Sequence, residues 1–233
     1  MEIIPGVHAI ENHRIGRAYL FAEADRLTLI DTGVAGSAEK ILAEIGKIGR
    51  RPEDLRQIVI THSHADHAGS LADVVMRTKA QVLVHSIDAA VVRGERQPGN
   101  AERHGFAALL TPIIGRSAAP PTPARVDREL ADGAEIDLDG RARIVHTPGH
   151  TPGSIAVYLP GRKLLFAGDA AANVFGFGPP RGPLGLFNED QAAARASFRK
   201  LAELDFESAF FGHGKPLDKD AARKFRRVAA KLK

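Results

Sequence analysis

No cysteine occurs anywhere in the 233 residues. That excludes a disulfide framework and thiolate ligands together, so any metal must rest on nitrogen and oxygen. The opening Met1-Glu2-Ile3-Ile4-Pro5-Gly6 lacks the basic stretch and apolar run of a secretory leader, and no later segment is apolar for the length of a bilayer. The sequence therefore predicts a soluble, cytoplasmic protein with no membrane partner. Charge of one sign is also scarce: 32 Lys plus Arg against 28 Asp plus Glu leave +4, a modest excess that helps an anionic substrate approach without demanding one. Much of it lies where Lys219, Arg223, Lys224, Arg226, Arg227, Lys231 and Lys233 interleave with Ala222, Phe225, Ala229 and Leu232. This reads as an amphipathic helix with one packed and one solvated face, and aromatics suited to base stacking are missing there, so no nucleic-acid partner is expected.

What is present reads as alternating strands and helices. Hydrophobic periodicity places strands at about 3–10, 17–23 and 27–31, a helix at about 37–48, a strand at 57–61, a helix at about 68–77 and a strand at 81–85 with a short helix after Ser86. The second half continues with strands near 134–138, 142–147, 154–159 and 163–168, a helix near 189–203, a strand at 208–211 and a helix near 218–232. The length suits one domain, 1–233, and the pattern alone defines an α/β protein. Two irregular stretches, 94–125 and 170–187, are long enough to act as lids or binding loops, with a short helix expected at Ala101 to Leu110.

His62-Ser63-His64-Ala65-Asp66-His67 concentrates three imidazoles and one carboxylate in six residues. His62 and His64, two apart, can aim at one ion while Asp66 and His67 face a second. Further along come His150 in Thr147-Pro148-Gly149-His150-Thr151, Asp169 in Phe166-Ala167-Gly168-Asp169, and His213 in Phe211-Gly212-His213-Gly214, each after an apolar run. Singly, a His or Asp beside glycine is an ordinary turn residue. Jointly, five His and two Asp suffice for two ions of four to six ligands, because imidazole suits zinc and iron and a carboxylate can bridge two cations. His8, His13, His85, His104 and His146 have no such partners and are not expected to bind metal, although His85 and His104 could lie near the site.

In these seven residues, their order and their spacing, together with Leu29-Ile30-Asp31-Thr32-Gly33 at a strand end, the chain resembles the metallo-beta-lactamase-fold hydrolases over nearly its whole length. The resemblance implies a four-layer αββα sandwich of two mixed sheets with helices on the outer faces. It implies one divalent ion on His62, His64 and His150, a second on Asp66, His67 and His213, and Asp169 bridging them. Zinc is expected first, with iron, manganese or cobalt as alternatives. The activity implied is attack by a metal-bridging hydroxide on an ester, lactone, thioester or phosphoester bond of a small molecule, with Asp66 both ligand and catalytic residue. Asp31 would accept a ligand's other ring proton, and Thr61 would stand beside it; Phe175, Phe177 and Phe187 would form an apolar substrate wall. A homodimer is a further implication.

The branch expected is glyoxalase II-like or lactonase-like. Asp169 stands where true lactamases carry Cys or Ser, which argues against lactam cleavage. The tyrosine that homoserine lactonases place three residues after the bridging Asp is here Ala172, and only Tyr19 and Tyr158 exist in the chain. About twenty residues follow His213, too few for the helical glutathione-holding portion of glyoxalase II. The alternative is a mononuclear-iron persulfide dioxygenase, alike at the motif level.

Overall fold

Alternate residues of the central strands face different cores, and that period of two sets the architecture. The computed structural model of the protein describes residues 1–10, 16–99, 121–174, 180, 182 and 187–232. One sheet has seven strands in chain order: β1 (Glu2–Ile4), β2 (Val7–Ala9), β3 (Tyr19–Ala22), β4 (Leu27–Ile30), β5 (Leu55–Ile60), β6 (Gln81–His85) and β7 (Arg128–Leu130). Pairing is antiparallel from β1 to β4 and parallel from β4 to β7. The second sheet comprises β8 (Glu135–Ile136), β9 (Ala142–His146), β10 (Ile155–Leu159), β11 (Leu164–Phe166) and β12 (Ser208–Phe210), ordered β12-β11-β10-β9-β8 with only β11 and β12 parallel.

Side chains divide by strand parity into three buried clusters. Leu27, Leu29, Ile58, Ile60, Val82 and Val84 face outward onto helices α1 (Ala38–Lys47) and α3 (Leu71–Thr78). Their neighbours Ile30, Val59 and Leu83 point inward, meeting Ile155, Val157, Leu159, Phe166 and Phe210 from the second sheet. Ala156, Tyr158, Leu165 and Ala209 then face the other outer layer, helices α5 (Gln191–Ala202) and α6 (Ala221–Ala229). There Phe198 stacks on Phe225 with ring centroids 4.9 Å apart. The result is two mixed sheets face to face with helices outside. Each fully buried Leu, Ile or Phe contributes about 1.5–3 kcal/mol, so the inter-sheet layer is a rigid frame for the loops at its edge.

Several boundaries differ from the periodicity reading. The strand expected at 3–10 is broken by Pro5-Gly6, where Gly6 turns with φ +78° into two short strands. The helix expected from 68 begins earlier, as α2 (Ala65–Ala68), and bends at Gly69 before α3; a Cβ on Gly69 would lie 2.1 Å from the Ala65 carbonyl oxygen. Strand β7 was not anticipated, since Arg128 and Glu129 are exposed and carry no apolar period. Helix α4 (Ser86–Val92) follows β6 directly. The helix expected at Ala101 to Leu110 lies outside the described residues. No helix among the described residues is long and apolar enough to cross a membrane.

Candidate metal centre

The site assembles from loops that leave strand ends on one edge of the sandwich. Asp31 follows β4, Thr61 and His62 follow β5, His150 sits in the β9–β10 turn, Asp169 follows β11 and His213 follows β12. The end of β5 is tied to the other sheet by the Ile155 amide, which donates to the Thr61 carbonyl at 2.9 Å. The Gly212 amide donates to the Gly168 carbonyl at 3.0 Å, and the Tyr19 hydroxyl donates to the Phe211 carbonyl at 2.7 Å. Burial raises the Tyr19 pKa, keeping that hydroxyl a donor.

All seven sequence-selected residues converge. Three groups of donor atoms each lie within 4.8 Å of one another and could hold a metal: His62, His64 and His150; His62, His67 and Asp169; and Asp66, His67 and His213. His64 Nδ1 is 2.9 Å from His150 Nε2. Asp169 reaches both sides, with Oδ2 3.3 Å from His150 Nε2 and 3.0 Å from His213 Nε2, and Oδ1 3.5 Å from His67 Nε2. His213 Nε2 is 3.2 Å from Asp66 Oδ2.

The network behind the rings sets their tautomers. Asp31, in the left-handed region at φ +59°, accepts from the Thr61 amide and hydroxyl, both at 2.7 Å, and from His67 Nδ1 at 2.8 Å. Because the Thr61 hydroxyl spends its proton on Asp31, its oxygen accepts from His62 Nδ1 at 3.1 Å. Asn188, which donates its amide to Gln191 at 2.7 Å, turns its oxygen to His150 Nδ1 at 3.3 Å. The proton is thereby placed on Nδ1 of all three rings, and each Nε2 presents a lone pair to the centre. Among the described residues, His62 Nε2, His67 Nε2 and Asp169 Oδ1 are buried without a hydrogen-bond partner. Orphaned buried acceptors of this kind are costly unless a cation completes them, so the residues present fit a metal centre.

Charge separates the two halves. Burial first, then the neighbouring imidazoles, hold His64 down to about 3 and His62 and His150 below their ordinary values. Burial would lower His213 as well, but Asp169 and Asp66 overcome it and lift His213 to about 9; His67 is raised by Asp169, Asp31 and Asp66 in the same way. Burial would raise Asp66, yet His67 and His213 hold it down to about 2, and Asp169 is lowered for the same reason. The carboxylates of Asp31, Asp66 and Asp169 thus favour positive charge on the His67 and His213 side, whereas burial favours uncharged rings at His62, His64 and His150.

The remaining selected residues fall elsewhere. Phe187 is exposed and precedes Asn188, whereas Phe175 and Phe177 lie outside the described residues, as do His13 and His104. His85 accepts from the Ile87 amide at 3.3 Å and stacks on His146 with centroids 4.1 Å apart, and His8 lies 3.7 Å from Glu44. Sequence reasoning missed Asn188 and Asp88, which stand at no recognisable spacing from the histidines. The only cue to Asn188 is its place just ahead of the helix that Asp190 caps.

The model of the metallo-beta-lactamase superfamily matches residues 12–213, and the chain belongs to that superfamily. It is 30% identical to the probable metallo-hydrolase YflN of Bacillus subtilis (strain 168), covering 93% of this chain and 86% of that protein. It is 35% identical to a hydroxyacylglutathione hydrolase of Anaeromyxobacter dehalogenans over 63% of this chain, but spans only 43% of that protein. Among solved structures, a Cronobacter sakazakii metallo-beta-lactamase with a HARLDQ motif superposes with a TM-score of 0.73 at 26% identity, covering 99% of this chain and 94% of that one.

Proposed function

We propose that the chain is a hydrolase that uses two divalent ions, zinc foremost, to cleave an ester, lactone, thioester or phosphoester bond of a small molecule. One observation carries the reading: the Asp169 carboxylate lies within 3.5 Å of ring nitrogens in both halves of the site. His62, His64 and His150 would hold one ion, Asp66, His67 and His213 the other, and Asp169 both. Bound there, the ions would supply a water nucleophile at neutral pH and polarise the substrate oxygen.

The chain's own groups do the rest. Asp31, Thr61 and Asn188 hold the Nδ1 protons of His67, His62 and His150, so these three rings cannot swing their Nε2 lone pairs away. Asp66 is the most open of the acidic groups, with its side chain 24% exposed, and stays ionised; its Oδ2 can take a proton from the attacking water and pass it to the leaving group. Val174 and Phe187, 53% and 42% exposed, offer apolar contact for an acyl or aryl portion. The metallo-hydrolase and hydroxyacylglutathione hydrolase relatives support hydrolysis, and the latter name favours a thioester among the candidates.

The test is a panel of lactones, thioesters, aryl esters and phosphotriesters offered to metal-replete protein. At least one class should be hydrolysed, with turnover falling to the uncatalysed rate on chelation and returning with zinc, manganese or cobalt. Full activity after complete metal removal would defeat the proposal. So would oxygen consumption on glutathione persulfide by iron-loaded protein that hydrolyses nothing.

A further inference from the structure

Asp88 lies in the first turn of α4 and is 1% exposed. Its Oδ2 accepts from the Ser63 amide at 2.8 Å and the Thr151 hydroxyl at 2.9 Å, and its Oδ1 accepts from the Gly153 amide at 3.0 Å. Ser63 is the residue between His62 and His64, and Thr151 directly follows His150. A single carboxylate therefore clamps the two loops that carry one trio of rings. Gly153 is part of the fit, because a Cβ there would lie 2.4 Å from Asp88 Oδ1.

The clamp acts where the rings cannot hold themselves. His64 and His150 face each other with centroids 4.6 Å apart and ring nitrogens 2.9 Å apart. That gap is the distance of a shared proton or cation, and each ring hangs from a separate loop, so the contact alone does not fix how far apart the loops stand. Something outside the trio must fix the spacing. Asp31 bonds Thr61 and His67 and reaches His62 only through the Thr61 hydroxyl, and it touches neither Ser63 nor Thr151.

Resting on the metal-centre reading, we propose that Asp88 is a positioning residue that sets the distance between the His62–His64 loop and the His150 loop. It thereby governs the affinity of the ion those three rings share, leaving the ion held by Asp66, His67 and His213 unaffected. Asp88→Asn cannot keep all three bonds, because its amide nitrogen would face at least one donor. Thr151→Val removes one bond without touching the carboxylate, and Thr151→Ser restores the hydroxyl.

Cobalt(II) titration of metal-free protein, followed by ligand-field absorption, reads both ions separately from turnover. Asp88→Asn and Thr151→Val should weaken one cobalt equivalent by about 10- to 100-fold while the other is unchanged, and Thr151→Ser should bind like the wild type. If Asp88→Asn fails to fold, the Thr151 pair decides. Equal weakening of both equivalents, or of neither, would overturn the assignment of Asp88 alone. A wild-type protein that binds no cobalt would overturn the metal centre and this inference with it.

Discussion

At the scale of single residues, the site is governed by which nitrogen of each imidazole carries its proton. Asp31 controls two rings, one directly through His67 Nδ1 and one through the Thr61 hydroxyl. Close backbone approach completes the arrangement. A Cβ on Gly212 would lie 2.1 Å from Asp169 Oδ1 and 2.4 Å from His67 Cε1, between the two side chains that would share an ion. Gly212→Ala should therefore weaken metal binding by about 10- to 100-fold, the range typical of disturbing a ligand's support. Metal content after dialysis, measured beside the wild type, checks this; full retention of both ions would contradict it. Residues of this kind are where sequence reading reached furthest and stopped shortest. The histidines and aspartates announce themselves by chemistry and order, whereas Asn188 and Asp88 act through contacts made only in three dimensions.

At the scale of elements, the strands were legible because their burial is one-dimensional in sequence. Ile155, Val157 and Leu159 of β10 face the inter-sheet core while Ala156 and Tyr158 face the helices, and that alternation can be read by eye. Short charged edge strands such as β7 carry no such pattern and are held by pairing alone. The start of α2 was missed because Asp66 and His67 read as loop ligands, although the His64 carbonyl accepts from the His67 and Ala68 amides and begins a helical turn. At the β6–α4 junction, His85 caps the helix while stacked on His146. Burial and then that second imidazole hold its pKa below the ordinary 6.5. The unfolded chain thus binds this proton first, so the contribution is intact above 6.5 and is lost as pH falls through that value toward the lower folded one. Urea midpoints between pH 5 and 7 should fall more steeply with acid for the wild type than for His85→Gln, which keeps an acceptor for Ile87. Parallel curves would contradict this.

At the scale of the molecule, strands from two sheets end on one edge and bring together residues separated by up to 151 positions, from His62 to His213. The layered architecture follows from paired amphipathic strands and helices, so α/β content was readable from pattern. The four layers became readable only through family resemblance, since periodicity does not say which sheet a strand joins. Within that frame two buried carboxylates back the site, Asp31 behind His62 and His67 and Asp88 behind the loops of His62, His64 and His150. The central claim is that two cations sit at the meeting point of these loops. Anomalous diffraction from crystals of the metal-replete protein tests it most directly. Two peaks should appear, one among His62, His64 and His150 and one among Asp66, His67 and His213, with Asp169 between them; an empty centre, or a single ion that leaves Asp169 uncoordinated, would contradict the account.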